Sequence, residues 1–200
     1  MSGTIRRVLV AGTAGGVGTT TVTALLFSRM RDSSTGAPPL LDHTAGNLGA
    51  RLPDGDEVPS LGEQLVLHDL GAHALDAGVA ALGDPTTVLV LVSAATPVGC
   101  LLARGVVEAV HRSHGPTNTA RTSVVLCGAF GRHRIRRQTR DLATAAAPAG
   151  LVLLSADPAL AVGGPIPLSR LSRSTERSVD ALVDLVTSGR RAQPPPGSQG

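Results

Sequence analysis

Lysine is absent: all 18 basic residues are arginine. Any positive charge set against a phosphate or a carboxylate must therefore be a guanidinium, a rigid planar fork rather than a compact ammonium on a mobile stem. Tryptophan and tyrosine are absent as well, and Phe27 and Phe130 are the only phenylalanines. This excludes an aromatic platform for stacked bases and leaves a core of Ala, Val and Leu, suited to buried parallel strands covered by helices. The two cysteines, Cys100 and Cys127, form no CxxC pair and have no ligand-spaced histidines beside them. They read as reduced thiols in or near the core, not as a disulfide framework or a metal site. No secretory signal precedes them and no apolar run approaches the length that spans a bilayer, so the expected location is the cytoplasm. The missing lysine, with few Phe, Ile and Asn, fits codon usage in a GC-rich bacterial genome.

Two hundred residues suffice for one α/β domain with a real core. That domain is expected over residues 1–188, and the Pro, Gly and Gln content of residues 189–200 predicts a disordered tail. The net charge of +3 is modest, and the pI of 10.0 reflects arginine without lysine or tyrosine. Charge alone does not predict nucleic-acid binding.

The chain is organised around residues 8–21, Val-Leu-Val-Ala-Gly-Thr-Ala-Gly-Gly-Val-Gly-Thr-Thr-Thr. An aliphatic strand runs into a loop with Gly12, Gly15, Gly16 and Gly18, and a helix opens near Thr19. Backbone N–H groups converge on a phosphate in such a loop, and glycine lets a ligand approach the backbone closely.

This stretch resembles the deviant P-loop of the ParA/MinD partition and positioning ATPases (SIMIBI class), whose pattern is Lys-Gly-Gly-x-Gly-Lys-Thr-Thr. Here it reads Ala14-Gly15-Gly16-Val17-Gly18-Thr19-Thr20-Thr21. Ala14 stands where the family places the lysine that reaches across a nucleotide-sandwich dimer, and Thr19 where it places the lysine on the β/γ-phosphates. Losing one cation about 4 Å from a phosphate forfeits roughly 4 kcal/mol at an effective dielectric near 20, nearly three decades of affinity. Neither position became arginine, so composition alone does not explain the loss. The resemblance extends to residues 42–48, which match switch I at Asp42 and Asn47 but carry Thr44 where a second aspartate orients the attacking water. It extends also to Asp69 at the end of an aliphatic strand, the Walker B place, near a magnesium whose hydroxyl ligand would be Thr20. Asp157 falls in a Pro-x-Asp-like loop near the base, and Cys127-Gly128 replaces an asparagine that recognises it. The resemblance thus implies ATP and magnesium as cofactors, while both missing lysines and Thr44 argue against turnover; no residue is assigned as catalytic. His68 and His73 flank Asp69, but without a ligand-spaced partner they weigh less as a metal cluster than as a strand-end and a solvated imidazole.

In chain order the expected elements are strand 5–11, helix 18–30, strand 40–42, a polar acidic loop over 49–62, strand 64–69, a short helix 72–82, strand 87–93, helix 100–111, strand 122–127, an arginine-rich helix through 145, strand 151–154 and helix 174–187. Alternation of this kind implies a doubly wound, mostly parallel sheet, a Rossmann-like three-layer α/β/α fold of P-loop NTPase type. His111 and His114 are expected at a helix end as dipole partners or solvated residues. Arg132, Arg134, Arg136, Arg137 and Arg140 form the densest charge feature, which reads either as a polyanion footprint, DNA included, or as a solvated helix face. The functional expectation is a ParA/MinD-like pseudo-ATPase acting in positioning or partner regulation through protein binding, with a homodimer compatible and no membrane helix. The alternatives are a nucleotide switch that borrows an arginine from residues 132–140 of a neighbouring subunit, and a DNA-binding accessory protein.

Overall fold

The computed structural model describes residues 6–32, 37–45, 47–53, 65–129, 136–145 and 148–188. Six strands, β1 (Arg6–Gly12), β2 (Leu40–Asp42), β3 (Leu65–Asp69), β4 (Thr87–Ala94), β5 (Thr122–Ala129) and β6 (Gly150–Ser155), form one sheet in the order β2-β3-β1-β4-β5-β6. Every pairing is parallel, so "mostly parallel" becomes wholly parallel among these strands. The chain leaves β1 toward one edge and later returns past it toward the other. This makes β1 the switch point, where crevices form beyond the strand ends.

Both faces of the sheet are covered, as the near-continuous aliphatic strands require. Side chains alternate along β1. Val8 and Val10 pack beneath helix α1 (Thr19–Asp32) and the C-terminal helix, α6 (Arg173–Ser188), with Leu26, Phe27, Val179 and Leu182. Leu9 and Ala11 face the opposite core, with Leu82 and residues of α3 (Pro97–Thr119) and α4 (Arg136–Ala145) such as Val106, Val107 and Leu142. Two short helices, α2 (Val79–Ala81) and α5 (Pro158–Ala161), complete the set.

Local chemistry explains two helix starts. Thr96 caps α3 by accepting from Gly99 N at 3.0 Å, with Pro97 in the first turn, an arrangement that satisfies one orphan donor and wastes none. Asp157 does the same for α5, accepting from Ala159 N at 3.0 Å ahead of Pro158.

Two expectations need correction. The region 72–82 forms a π-helical turn over Ala74–Gly78, closed by Gly78 N donating to His73 O, before the single turn of α2. The arginine-rich helix is described over Arg136–Ala145; Phe130, Arg132 and Arg134, like the acidic run 54–57 and the tail 189–200, lie outside the described residues. Helix α3 does not stop near His111 but bends at Gly115 (φ +78°) and continues to Thr119. Gly-Pro is a stop signal in sequence, yet here Pro116 occupies the first turn of the resumed helix. The bend is pinned from outside: His114 Nε2 donates to Val79 O (2.9 Å) and Asn118 Nδ2 to Leu82 O (3.0 Å). Arg121 Nη1 adds bonds to the carbonyls of Asp84 and Thr87. His114 is thus a tertiary clamp, not a solvated helix end.

Candidate functional site

The carboxyl ends of β1, β2 and β3 lie together, since Asp42 is in register with Asp69 and Asp69 with Val10. The glycine loop leaves β1 there. Gly12 N donates to Gly71 O (2.6 Å) and Thr13 N to Val92 O (2.9 Å). Ser93 Oγ donates to Gly99 O (2.9 Å), so its oxygen accepts from the Thr13 hydroxyl (2.8 Å). Gly16 and Gly18 take φ of +75° and +97°, conformations L residues rarely adopt. A Cβ added to Gly15 or Gly16 would meet nothing within 4 Å, so the loop is open on its outer side. The first backbone bond joining the loop to α1 is Val22 N to Gly18 O (2.9 Å), and the N–H groups of the preceding first turn have no intrahelical acceptor.

Thr19, the first residue of α1, folds back on the loop. A Cβ on Gly12 would collide with Thr19 Oγ1, and Thr19 is buried. It fills the space over Gly12 without projecting a charge outward.

In front of the loop is an open cleft of about 470 Å³ whose lining includes Ala14, Gly15, Gly16, Gly18, Thr19, Thr20, Thr21, Thr44 and Asn47, with His43 and the segment Leu70 to His73 opposite. The cleft thus gathers most of the residues assigned to the glycine loop and two of those assigned to the following strand ends, Thr44 and Asn47. No arginine lines the cleft among the described residues.

The residues that follow β2 bond to one another. Asp42 accepts from Thr44 N (2.7 Å) and the Thr44 hydroxyl (2.5 Å) through Oδ1, and from Leu48 N (3.3 Å) through Oδ2. Asn47 Nδ2 donates to Thr44 O (3.0 Å). Thr44 serves to shape this turn, and Ala45 within it takes φ of +60°, a strained value for a residue with a side chain.

Asp69 is wholly buried. Burial pushes its carboxyl up from the ordinary range; the Gly71 N–H and the Thr20 hydroxyl oppose the rise and the Asp42 charge adds to it. Oδ1 accepts from Gly71 N at 2.9 Å. No donor among the described residues bonds Oδ2, although the Thr20 hydroxyl is near enough to favour the charged form. A buried carboxylate oxygen without a donor, beside a threonine hydroxyl, fits the surroundings of a magnesium ion and its bound water. Thr20 and Asp69 are the residues that would hold such an ion. Among the described residues no group of three or more His, Cys, Asp or Glu is gathered as a metal cluster.

The neighbouring imidazoles pair with each other. His43 Nε2 and His68 Nδ1 are 3.2 Å apart, the ring planes differ by 5°, and the centroids lie 5.5 Å apart. The centroids are much farther apart than the nitrogens, so the rings meet edge to edge through an N–H···N bond. Burial, then His43, then Arg7 lowers the His68 pKa.

Other assigned residues lie elsewhere. Asp157 is not among the residues lining the cleft; it accepts from Ala159 N, Ser172 N (2.9 Å) and the Thr175 hydroxyl (2.6 Å). Burial acts to raise its pKa, but these bonds win and hold it below the usual carboxylate range. Cys127 sits behind the loop, its Sγ 3.5 Å from where a Gly18 Cβ would be, and burial pushes its thiol up to about 12. Arg137 and Arg140 are exposed on α4.

The sequence reading missed Arg51. It follows the switch segment on a 3₁₀ turn, Gly49–Arg51, and its guanidinium donates to Thr21 Oγ1 (3.2 Å) and to the carbonyls of Leu160, Val162 and Gly164. No motif marked it, because its partners come from two distant segments.

No protein-family model and no curated protein matches the sequence. Among solved structures the chain is similar to the crystal structure of a ParA family ATPase from Chlorobium tepidum TLS, with a TM-score of 0.58 and 14% identity, over 88% of this chain and 98% of that one. Among the described residues no helix is long and apolar enough to cross a membrane. The chain therefore has a P-loop NTPase-like α/β fold similar to that of a ParA family ATPase, with its own six described strands all parallel in the order given above.

Proposed function

We propose that the chain is a ParA/MinD-like pseudo-ATPase: a P-loop scaffold that holds a phosphate-bearing ligand, ATP with magnesium being the first candidate, and acts in positioning or partner regulation through protein binding, with little or no hydrolysis. The observation that carries this reading is the contrast within one cleft. The glycine loop and the Thr20 hydroxyl line it, and the buried Asp69 carboxylate lies beside Thr20. Thr19, however, is folded over Gly12, and Thr44 is bonded to Asp42. Phosphoryl transfer depends on positioning and on cations that stabilise the transferred group, and neither threonine supplies a charge. A homodimer across the loop face is compatible with this arrangement and does not require a nucleotide sandwich.

The test is phosphate release from ATP and GTP with magnesium, at protein concentrations high enough for a partner subunit to contribute. Release indistinguishable from the protein-free rate is expected; magnesium-dependent turnover abolished by Arg137→Ala would overturn the reading in favour of a trans-arginine switch.

A second reading, nonspecific polyanion binding, draws support from the exposure of Arg137 and Arg140 on one helix. On that reading retention on DNA falls steeply with salt and is lost in the Arg137→Glu, Arg140→Glu double variant.

A further inference from the structure

We propose that Arg51 is a positioning residue for an anionic ligand of the cleft, supplying from within the chain the positive charge that the glycine loop lacks and holding Thr21 as a hydrogen-bond donor to phosphate. The inference rests on the reading of that cleft as a phosphate cradle.

Three observations carry it. First, Arg51 is held by neutral acceptors. Nη1 donates to Val162 O (2.7 Å) and Gly164 O (3.1 Å), and Nη2 to Leu160 O (2.9 Å) and Thr21 Oγ1 (3.2 Å). Among the described residues no carboxylate comes within ion-pair distance of it. Carbonyl dipoles orient a guanidinium without cancelling its charge, so a full positive charge stands fixed beside the first turn of α1.

Second, the contact to Thr21 decides what that hydroxyl can do. A threonine hydroxyl has one proton to give. The guanidinium donates to Oγ1, and no acceptor for the Thr21 proton is found among the described residues. The proton is thus available to a ligand in the cleft, which Thr21 lines. A hydroxyl whose oxygen already receives a charged donor is also polarised into a stronger donor itself.

Third, the arginine is placed by the switch segment. Leu48, which is buried, anchors the turn through Arg51 N and Leu52 N donating to Leu48 O (2.9 and 3.2 Å), and Ile166 N donates back to Arg51 O (3.3 Å). Occupancy of the cleft and the setting of residues 42–48 are linked through one side chain. The ligand class is a polyphosphate, because a fixed charge and an aligned hydroxyl at the first turn add to the backbone N–H groups of the loop.

The experiment is calorimetric titration of the full chain with magnesium ATP, inorganic pyrophosphate and, as an uncharged control, adenosine. The proteins compared are the unmodified chain and the Arg51→Gln, Arg51→Lys, Thr21→Val and Thr19→Lys variants, each over a range of salt. Arg51→Gln is expected to weaken pyrophosphate and ATP roughly tenfold and to flatten the salt dependence, with adenosine unaffected. Arg51→Lys keeps the charge and is expected to recover most of the loss, although it loses the fork that bridges three carbonyls. Thr21→Val leaves the carbonyl clamp intact and is expected to lose affinity, with less than additive effect on Arg51→Gln. A purely structural clamp predicts instead a lower melting temperature with unchanged salt slope and equal effects on charged and neutral ligands; that result overturns the proposal. If the unmodified chain binds no phosphate but Thr19→Lys does, the cradle reading stands and the role of Arg51 falls. If neither binds, the cradle reading itself falls, and the role of Arg51 with it.

Discussion

Replacing Thr19 with lysine is expected to raise the affinity for magnesium ATP by up to about three decades, the effect of one cation about 4 Å from a phosphate at an effective dielectric near 20. The site is prepared for the change. Thr19 opens α1 with its side chain lying over Gly12, and space is open above Gly15 and Gly16. A lysine stem is longer than the threonine side chain and can reach toward that open space. Hydrolysis is not expected to follow, since Thr44 is bonded to Asp42 and has no carboxylate to orient water. Titration of the two proteins with ATP, alongside phosphate release, separates binding from turnover. Absence of binding by both proteins would show that the loop does not present its N–H groups to phosphate and would remove the basis of the proposed function.

Asp69→Asn is expected to stabilise the fold and to impair the magnesium dependence of ligand binding. The carboxylate is wholly buried, and Oδ2 lacks a donor among the described residues; an unsatisfied buried polar group costs about 1–3 kcal/mol. Removing the charge should recover about 1 kcal/mol, raising Tm by roughly 2–4 °C in a chain of this size. The pH dependence has a definite sign. Burial raises the folded-state pKa of Asp69, so its ionised form opposes folding. That penalty is present above the folded pKa and disappears as pH falls below the unfolded value. The stability gap between Asp69→Asn and the unmodified chain should therefore be widest near neutrality and close on acidification. Binding should change in the opposite sense, with the benefit of magnesium reduced roughly 10–100-fold, as for loss of a group that orients a metal's bound water. A lower Tm for Asp69→Asn would mean that the carboxylate is engaged by donors and is not held ready for an ion.

Much of the fold was legible before any coordinates. The aliphatic runs of β1, β3, β4 and β5 end in glycine, aspartate or a small residue, and strands of this kind can only be buried on both faces. The structure places them at those positions within one or two residues. The glycine loop was legible for a similar reason: Gly16 and Gly18 take backbone angles open mainly to glycine, so the residue type reports the geometry. Helix α3 was cut short because Gly115-Pro116 reads as a terminator. The bonds from His114 and Asn118 to Val79 and Leu82 that carry the helix past it join segments about 35 residues apart.

The candidate site divides along the same line. Motif spacing put Asp42 and Asp69 at neighbouring strand ends and Thr20 at the start of the helix that follows β1, because in a parallel sheet the order of strand, turn and helix dictates which ends converge. Spacing could not show that Thr19 lies against Gly12, that Asp157 is consumed by three donors, or that Arg51 reaches Thr21. The layered architecture and the position of the loop follow from the order of residues, since periodicity, glycine conformation and strand burial are local properties of the chain. Which charge accompanies the loop is set by folding, because the bonds of Arg51 cross 30 residues to Thr21 and 109 to Leu160, and no local preference encodes a contact between segments that meet only when the sheet is complete.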